Sequence, residues 1–393
     1  MQRPRIALMH PQLGFGGSEH VCLSIAEALQ DDYRVSIVTT RKDSEGFGLP
    51  ALNRFCGTSV DEAKVPIIYI PLPAMFRNRF AAFQGSLFAR GCRRLTTKFD
   101  LMFMSYGMMD LGVKGIQFMH DPGFTPELVR QLTPVPRGFR RFFYQNSPFR
   151  NGYLWLARKL AGFSPEGMRQ NLTLVNSVWT GDIVRKTLGV ETTLVYPPVR
   201  CTFPEVPWGD RDDGFVCIGR WSREKCMERV IAILAEVRKK GSDVKLHLAG
   251  NGGDRTYFQD LKRLAARSGE WIVMHDGISS EEKSLLMATH RFAISARPNE
   301  PFGIALGETV KAGCITFVPN GGGQVEIVDH PALVFKDEAD AVDKIVAVLK
   351  SGAEQENLRS HLRQRAERFS AESFQTQIRQ VVENFLKERP NCR

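Results

Sequence analysis

The sequence has no hydrophobic run approaching the length of a membrane span. Its start has no leader-like design and runs straight into a strand, Arg5–His10, so the expectation is a chain that neither crosses a membrane nor is led across one. The eight cysteines are scattered, with no C-x-x-C pair and no ligand-like histidine spacing. That argues against a structural zinc site and for free thiols in a reducing cytosol. No clustered Asp pair offers a metal site, and there is no internal repeat or low-complexity tract. Acid is scarce in one region only. Met75–Gln170 holds fifteen Lys/Arg against five Asp/Glu, a surplus equal to the whole formal charge of +10. A basic face therefore belongs to that region. It lacks any recognisable nucleic-acid module, so nucleic acid is not the expected partner.

What is present is alternation. Hydrophobic residues at 43% and charged residues at 24% of 393 positions are enough to build two or three soluble domains. The second half reads as strand Phe215–Gly219, helix Met227–Lys240, strand Val244–Ala249, helix Arg255–Arg267, strand Trp271–His275 and helix Ser280–Thr289. The last carries a Ser279-x-x-Glu282 capping box. The first half repeats the style less regularly, through Arg5–His10, helix Glu19–Leu29, Arg34–Thr40, Ile67–Pro71, Leu101–Ser105, Gly115–Met119, Leu172–Asn176 and helix Thr180–Leu188. Its Phe- and Arg-rich middle resists placement. Such alternation predicts βαβ units and parallel sheets. The proline-rich stretch 199–213 reads as a linker between residues 1–198 and 214–370. Two Rossmann-like domains facing across a cleft are expected, with the final helix, Ala371–Lys387, able to cross back to the first.

The chemistry gathers at predicted strand ends, where open α/β sheets bind ligands. After strand Phe292–Ala296 comes Glu300-Pro-Phe-Gly-Ile-Ala-Leu-Gly-Glu308. The amides of Phe302, Gly303 and Ile304 would open a helix toward an anion, while carboxylates suit neutral hydroxyls. The stretch reads as a grip on a sugar nucleotide, with amides toward phosphate, Glu300 toward a hexose and Glu308 toward a ribose. Gly219–Lys225 follows the first strand of the second domain, and Arg220 and Lys225 there suit a diphosphate leaving group. In the first domain, Gly16 and Gly17 let backbone approach a ligand ahead of a helix. His120 ends a strand at the same edge. Ser177 is a candidate N-cap, and Gly321–Gly323 could line the nucleotide pocket or form a plain loop.

These residues together resemble family 4 retaining glycosyltransferases of the GT-B fold. The E-x7-E run from Glu300 to Glu308, the G-R-x-x-x-x-K loop ending at Lys225, Gly16-Gly17-Ser18-Glu19, Asn176-Ser-x-Trp-Thr180 and Tyr196-Pro-Pro198 carry the likeness. It implies donor-hexose contact at Glu300, ribose contact at Glu308, diphosphate contact at Arg220 and Lys225, and a place near the transferred sugar for His120. Asn299–Ile304 and Val195–Pro198 look closest to mannosyltransferases of lipid-linked oligosaccharide assembly. That implies GDP-mannose, with a UDP-hexose and a soluble acceptor as the alternative, and a glycan or lipid-linked glycan acceptor. Met227 departs from the family where many members place a Gly after the Lys loop. No cofactor or metal is implied. An epimerase, a phosphorylase or a non-catalytic glycan-binding module are the rivals. Pro136–Tyr144 and Tyr153–Lys159 pair aromatic bodies with basic heads, as segments lying on an anionic membrane do.

Overall fold

The computed structural model describes residues 3–40, 48–73, 80–123, 148–162 and 164–388. The chain divides into two compact units, Met1–Pro198 with Ala371–Arg393, and Val199–Ser370. The first runs β1 Arg5–Met9, α1 Gly17–Leu29, β2 Arg34–Thr39, α2 Leu49–Cys56, β3 Ile67–Tyr69, α3 Ala81–Arg93, β4 Leu101–Met104 and β5 Ile116–Met119. It continues through α4 Pro148–Ala161, α5 Pro165–Arg169, β6 Leu172–Val175, α6 Val178–Leu188 and β7 Thr192–Leu194. Its described strands form one parallel sheet in the order β3-β2-β1-β4-β5-β6-β7. Ile6 to Met9 are fully buried, as a central parallel strand covered on both faces must be.

The second unit runs β8 Asp212–Ile218, α7 Met227–Lys239, β9 Lys245–Gly250, α8 Arg255–Ser268, β10 Ile272–Asp276, α9 Ser280–Thr289 and β11 His290–Ile294. Then come α10 Ile304–Lys311, β12 Ile315–Pro319, α11 Gln324–Val328, β13 Val334–Phe335, α12 Glu338–Leu349 and α13 Gly352–Glu367. The strands are parallel in the order β10-β9-β8-β11-β12-β13. In each sheet the order reverses beside its first strand, so the loops after β1 and β4, and after β8 and β11, flank a switch point. The Ser279–Glu282 capping box at the start of α9 is fully formed.

One segment differs from the sequence reading, and two others are filled in where it was silent. The stretch 199–213 is not a free connector but docks along the second unit. Val199 donates to the Phe369 carbonyl at 2.8 Å, Arg211 donates to the Ala312 carbonyl at 2.9 Å, and β8 already begins at Asp212. The Phe- and Arg-rich middle of the first half contains α3 and α4, which pack on one another. Of the two aromatic–basic segments, Tyr153–Lys159 lies in α4. Pro136–Tyr144 lies outside the described residues.

The last helix, α14 Ala371–Lys387, returns to the first unit. Its buried residues Phe374, Ile378, Val382 and Phe385 recur at helical spacing and form one stripe. Arg379 donates to the Ala28 carbonyl of α1 at 2.9 Å and Gln375 to Glu27 at 2.8 Å. Burying four such side chains contributes on the order of 6 kcal/mol or more, so the first unit depends on its distant C-terminal helix.

Candidate active site

The site in the second unit is built from two loops that leave adjacent strands. The loop after β8 is pinned by Trp221, which is fully buried and donates its indole N–H to Asp276 at 2.7 Å. Its backbone lies against Gly250 and Gly253. A Cβ on Gly250 would stand 2.1 Å from the Gly219 carbonyl oxygen, and one on Gly253 2.3 Å from that of Trp221. Only glycine permits this approach. With Trp221 fixed, Arg220 stays at the surface, 68% exposed, while Lys225 turns inward at 21%.

Lys225 meets Glu300. Its Nζ donates to Glu300 Oε2 at 2.6 Å, and Arg297 donates to Oε1 at 3.0 Å, so one buried carboxylate is held between two cations. Burial pushes the Glu300 carboxyl up, but Lys225 and Arg297 outweigh it and hold the group below its usual range. The loop around Glu300 is locked from behind. Asn299 takes a left-handed turn at φ 56, Gly323 donates its amide to the Glu300 carbonyl at 2.8 Å, and Gly322 pairs with Glu300 as a bridge. A Cβ on Gly322 would stand 2.2 Å from the Glu300 carbonyl oxygen. The glycine run at 321–323 thus clamps the backbone of Glu300.

Helix α10 begins at Ile304 with Gly303 as its N-cap, at φ 98 and without a side-chain cap. Phe302 is buried edge-on against Phe369, their centroids 5.5 Å apart, which fixes where the helix starts. Glu308 falls one turn into α10 and is 6% exposed. Lys283 of α9 donates to both its oxygens, at 2.8 and 3.0 Å, and the Cys201 thiol donates at 3.0 Å. Burial pushes Lys283 down, and Glu308 with Cys201 overcomes this to leave it raised. The position after the Lys loop that needs glycine-like freedom is Cys226, at φ 51, rather than Met227. Met227 is the first residue of α7, fully buried, and its amide donates to the Tyr257 hydroxyl at 2.9 Å.

In the first unit, Gly16 caps α1, and the carboxylate of Glu19 curls back over the loop. A Cβ on Gly16 would stand 2.7 Å from Glu19 Oε2, which also accepts from Ser18 Oγ at 2.7 Å. Gly17 is the first residue of α1. His120 follows β5 and stacks on Phe118 with centroids 4.7 Å apart. Its Nε2–H donates to the Ser105 carbonyl at 2.8 Å, which leaves Nδ1 as the acceptor nitrogen. Burial pushes His120 down to about 4, so the ring is neutral near pH 7. Asn176 donates to the His120 carbonyl at 2.8 Å, and Ser177 caps α6 by accepting from the Thr180 amide. His10 follows β1, is 2% exposed, with Tyr106 at 5.4 Å between ring centroids, and burial pushes it down to about 4 as well.

The structure brings Glu300 and Lys225 into contact, and it sets Glu308 one turn into α10. Arg220 bonds neither carboxylate. Among the described residues its partner is Glu224, at 3.5 Å. The sequence reading did not single out Arg297, Lys283, His10 or the Gly250–Gly253 turn. Arg297 had a local signal, a cation three residues before Glu300 in an apolar stretch. Lys283 had none, because 25 residues separate it from Glu308.

The family model described as glycosyl transferases group 1 matches residues 202–369. The chain is similar to the GDP-Man:Man(3)GlcNAc(2)-PP-Dol alpha-1,2-mannosyltransferase of Dictyostelium discoideum, 26% identical over 249 residues, covering 56% of this chain and 49% of that protein. The matched part thus spans about half the length of that relative. It is also similar to the alpha-1,3/1,6-mannosyltransferase ALG2 of Homo sapiens, 24% identical over 441 aligned positions, covering 98% of this chain and 97% of that one. Among solved structures, Anabaena Alr3699/HepE in complex with UDP and glucose superposes with a TM-score of 0.68 at 15% identity, over 97% of this chain and 100% of that one. Residues 202–369 are thus similar to the glycosyl transferases group 1 family, and the two Rossmann-like parallel sheets are those of the GT-B fold.

Proposed function

We propose that the chain is a retaining hexosyltransferase that moves mannose from GDP-mannose to a hydroxyl of a lipid-linked glycan. The observation that carries the reading is the buried Lys225–Glu300 pair beside the switch point of the second sheet, with a second buried carboxylate, Glu308, eight residues on and one turn into α10. In this reading Glu300 accepts from hexose hydroxyls and Glu308 from the ribose. Lys225, Arg220 and the amino end of α10 take the growing negative charge of the diphosphate. The bond from the anomeric carbon to the diphosphate oxygen breaks, and the acceptor oxygen bonds the same face of that carbon. The acceptor's proton passes to the departing phosphate oxygen. The protein then contributes orientation and charge stabilisation, and the reaction needs neither a covalent nucleophile nor a metal. His120, neutral and with Nδ1 as acceptor, serves the transferred sugar.

The relatives' names supply the choice of GDP-mannose and of a lipid-linked acceptor. Among the described residues no helix is long and apolar enough to cross a membrane. We therefore place the enzyme peripherally, on the cytoplasmic face, held by basic and aromatic groups such as those of α4. Trp155 there is 57% exposed with Lys159 Nζ 4.4 Å above its ring. The test is nucleotide release from a panel of GDP- and UDP-sugars, with and without a dolichol-type mannosyl acceptor. GDP release from GDP-mannose that rises with acceptor, with product of retained anomeric configuration, is the expected result. Release of UDP alone, or no turnover with any donor, overturns it.

A further inference from the structure

The donor site contains a conflict. Lys225 is the cation assigned to the diphosphate, yet it is already bonded to Glu300 at 2.6 Å, and only 21% of its side chain and 12% of that of Glu300 is exposed. A donor can take Lys225 only by pulling it off a buried carboxylate. Losing one partner of a buried ion pair is costly because the remaining charge has neither water nor counterion. The second cation on Glu300 resolves this. Arg297 Nη1 holds the other oxygen, Oε1, at 3.0 Å, is itself only 14% exposed, and lies 3.9 Å from Glu224. Its backbone is fixed too. The Arg297 carbonyl accepts from Gln324 at 2.8 Å, and the Arg297 amide donates to Ser295 Oγ at 3.3 Å. Lys225 hangs on a flexible stem, whereas Arg297 sits three residues before Glu300 in the same anchored loop.

We propose that Arg297 is a positioning residue of the donor site: it keeps Glu300 ionised and in place while Lys225 leaves for the diphosphate. This rests on the reading of the site given above. Lys225 then exchanges one anion for another, and Glu300 never stands buried and unpaired. Without Arg297, Glu300 must take up a proton as Lys225 departs, because burial alone drives its carboxyl toward the neutral form.

The test is calorimetry of GDP and of UDP binding in two buffers of different ionisation enthalpy near pH 7, which counts protons taken up. The wild type is expected to bind one of them with no uptake. Arg297→Gln should bind it about tenfold more weakly and take up a large fraction of a proton. Arg297→Lys, which keeps the charge, should restore both. Glu300→Gln keeps the shape and removes the competing charge. It should bind the free nucleotide several-fold more tightly than wild type and make Arg297→Gln nearly silent in its background. A merely structural role for Arg297 moves none of the proton counts, and if Arg297→Gln does not fold alone, the double variant decides: recovered folding and nucleotide binding in Arg297→Gln/Glu300→Gln supports the proposal, and failure to recover overturns it. Wild-type binding with unchanged proton uptake in Arg297→Gln, or no tightening in Glu300→Gln, overturns this proposal and leaves the donor-site reading intact. Failure of the wild type to bind either nucleotide overturns both.

Discussion

At the scale of residues, the two carboxylates of the site are separated by what holds them. Glu300 lies between Lys225 and Arg297, and Glu308 between Lys283 and the Cys201 thiol. One is bonded to Lys225, the lysine proposed above to meet the diphosphate, and the other is not. Glu308→Ala is therefore expected to weaken free nucleotide and full donor alike, by roughly ten- to a hundredfold for lost hydrogen bonds to a charged acceptor. Glu300→Ala should weaken chiefly the full donor and slow transfer. Calorimetry with both ligands measures the split, and equal losses for nucleotide alone contradict it. The spacing of Glu300 and Glu308 was legible in the sequence because both lie in one local strand-to-helix turn. Their cations were only half legible, since Lys283 arrives from another helix and only the folded sheet brings Lys225 across from the neighbouring strand.

At the scale of elements, glycines decide where the loops go. Gly322, at φ 77, lets the loop after β12 lie directly on the backbone of Glu300, and Gly250 and Gly253 do the same for Trp221. The sequence shows Gly321-Gly322-Gly323 but not its purpose, because a pocket lining and a backbone clamp require the same residue. Gly322→Ala is expected to cost about 2 kcal/mol or more of stability, since its Cβ meets main chain on both strain and contact grounds. Donor turnover should fall further than stability alone predicts, because Glu300 moves with the loop. A urea titration with a parallel activity assay tests this. A variant with wild-type midpoint and turnover removes the clamp from the account.

At the scale of the whole molecule, buried histidines set an acid limit. Burial holds His10 and His120 at about 4 when folded, below the ordinary value near 6.5. Below pH 6.5 the unfolded chain binds protons that the folded chain refuses. Stability is therefore full above that pH and is lost progressively down to about pH 4, by on the order of 3 kcal/mol for each ring. Urea midpoints at pH 7.5, 6 and 5 should fall in that order, and a flat profile refutes the assignment. The basic surplus acts at the same scale. The protein is expected to sediment with anionic vesicles at low salt and to release as salt rises. Each basic side chain near such a surface contributes about 1 kcal/mol, so reversing Arg158 and Lys159 to Glu should weaken that binding at least tenfold. Indifference of the wild type to anionic vesicles ends the membrane reading.

Local physics in the sequence determined most of the elements. Alternating apolar runs, the Ser279–Glu282 box and the amphipathic stripe of Ala371–Lys387 each act within a few turns of chain, and those helices and strands form where their patterns place them. What the tertiary structure decided is non-local. It ordered the strands so that β8 and β11 are neighbours, docked 199–213 on the second unit, and returned α14 to the first. It also enclosed Glu300 between cations 75 residues upstream and three residues upstream. Pattern fixes which face of an element is apolar. Which charges meet in the interior depends on burial of the whole, because only there is a carboxylate without water forced to find its partners.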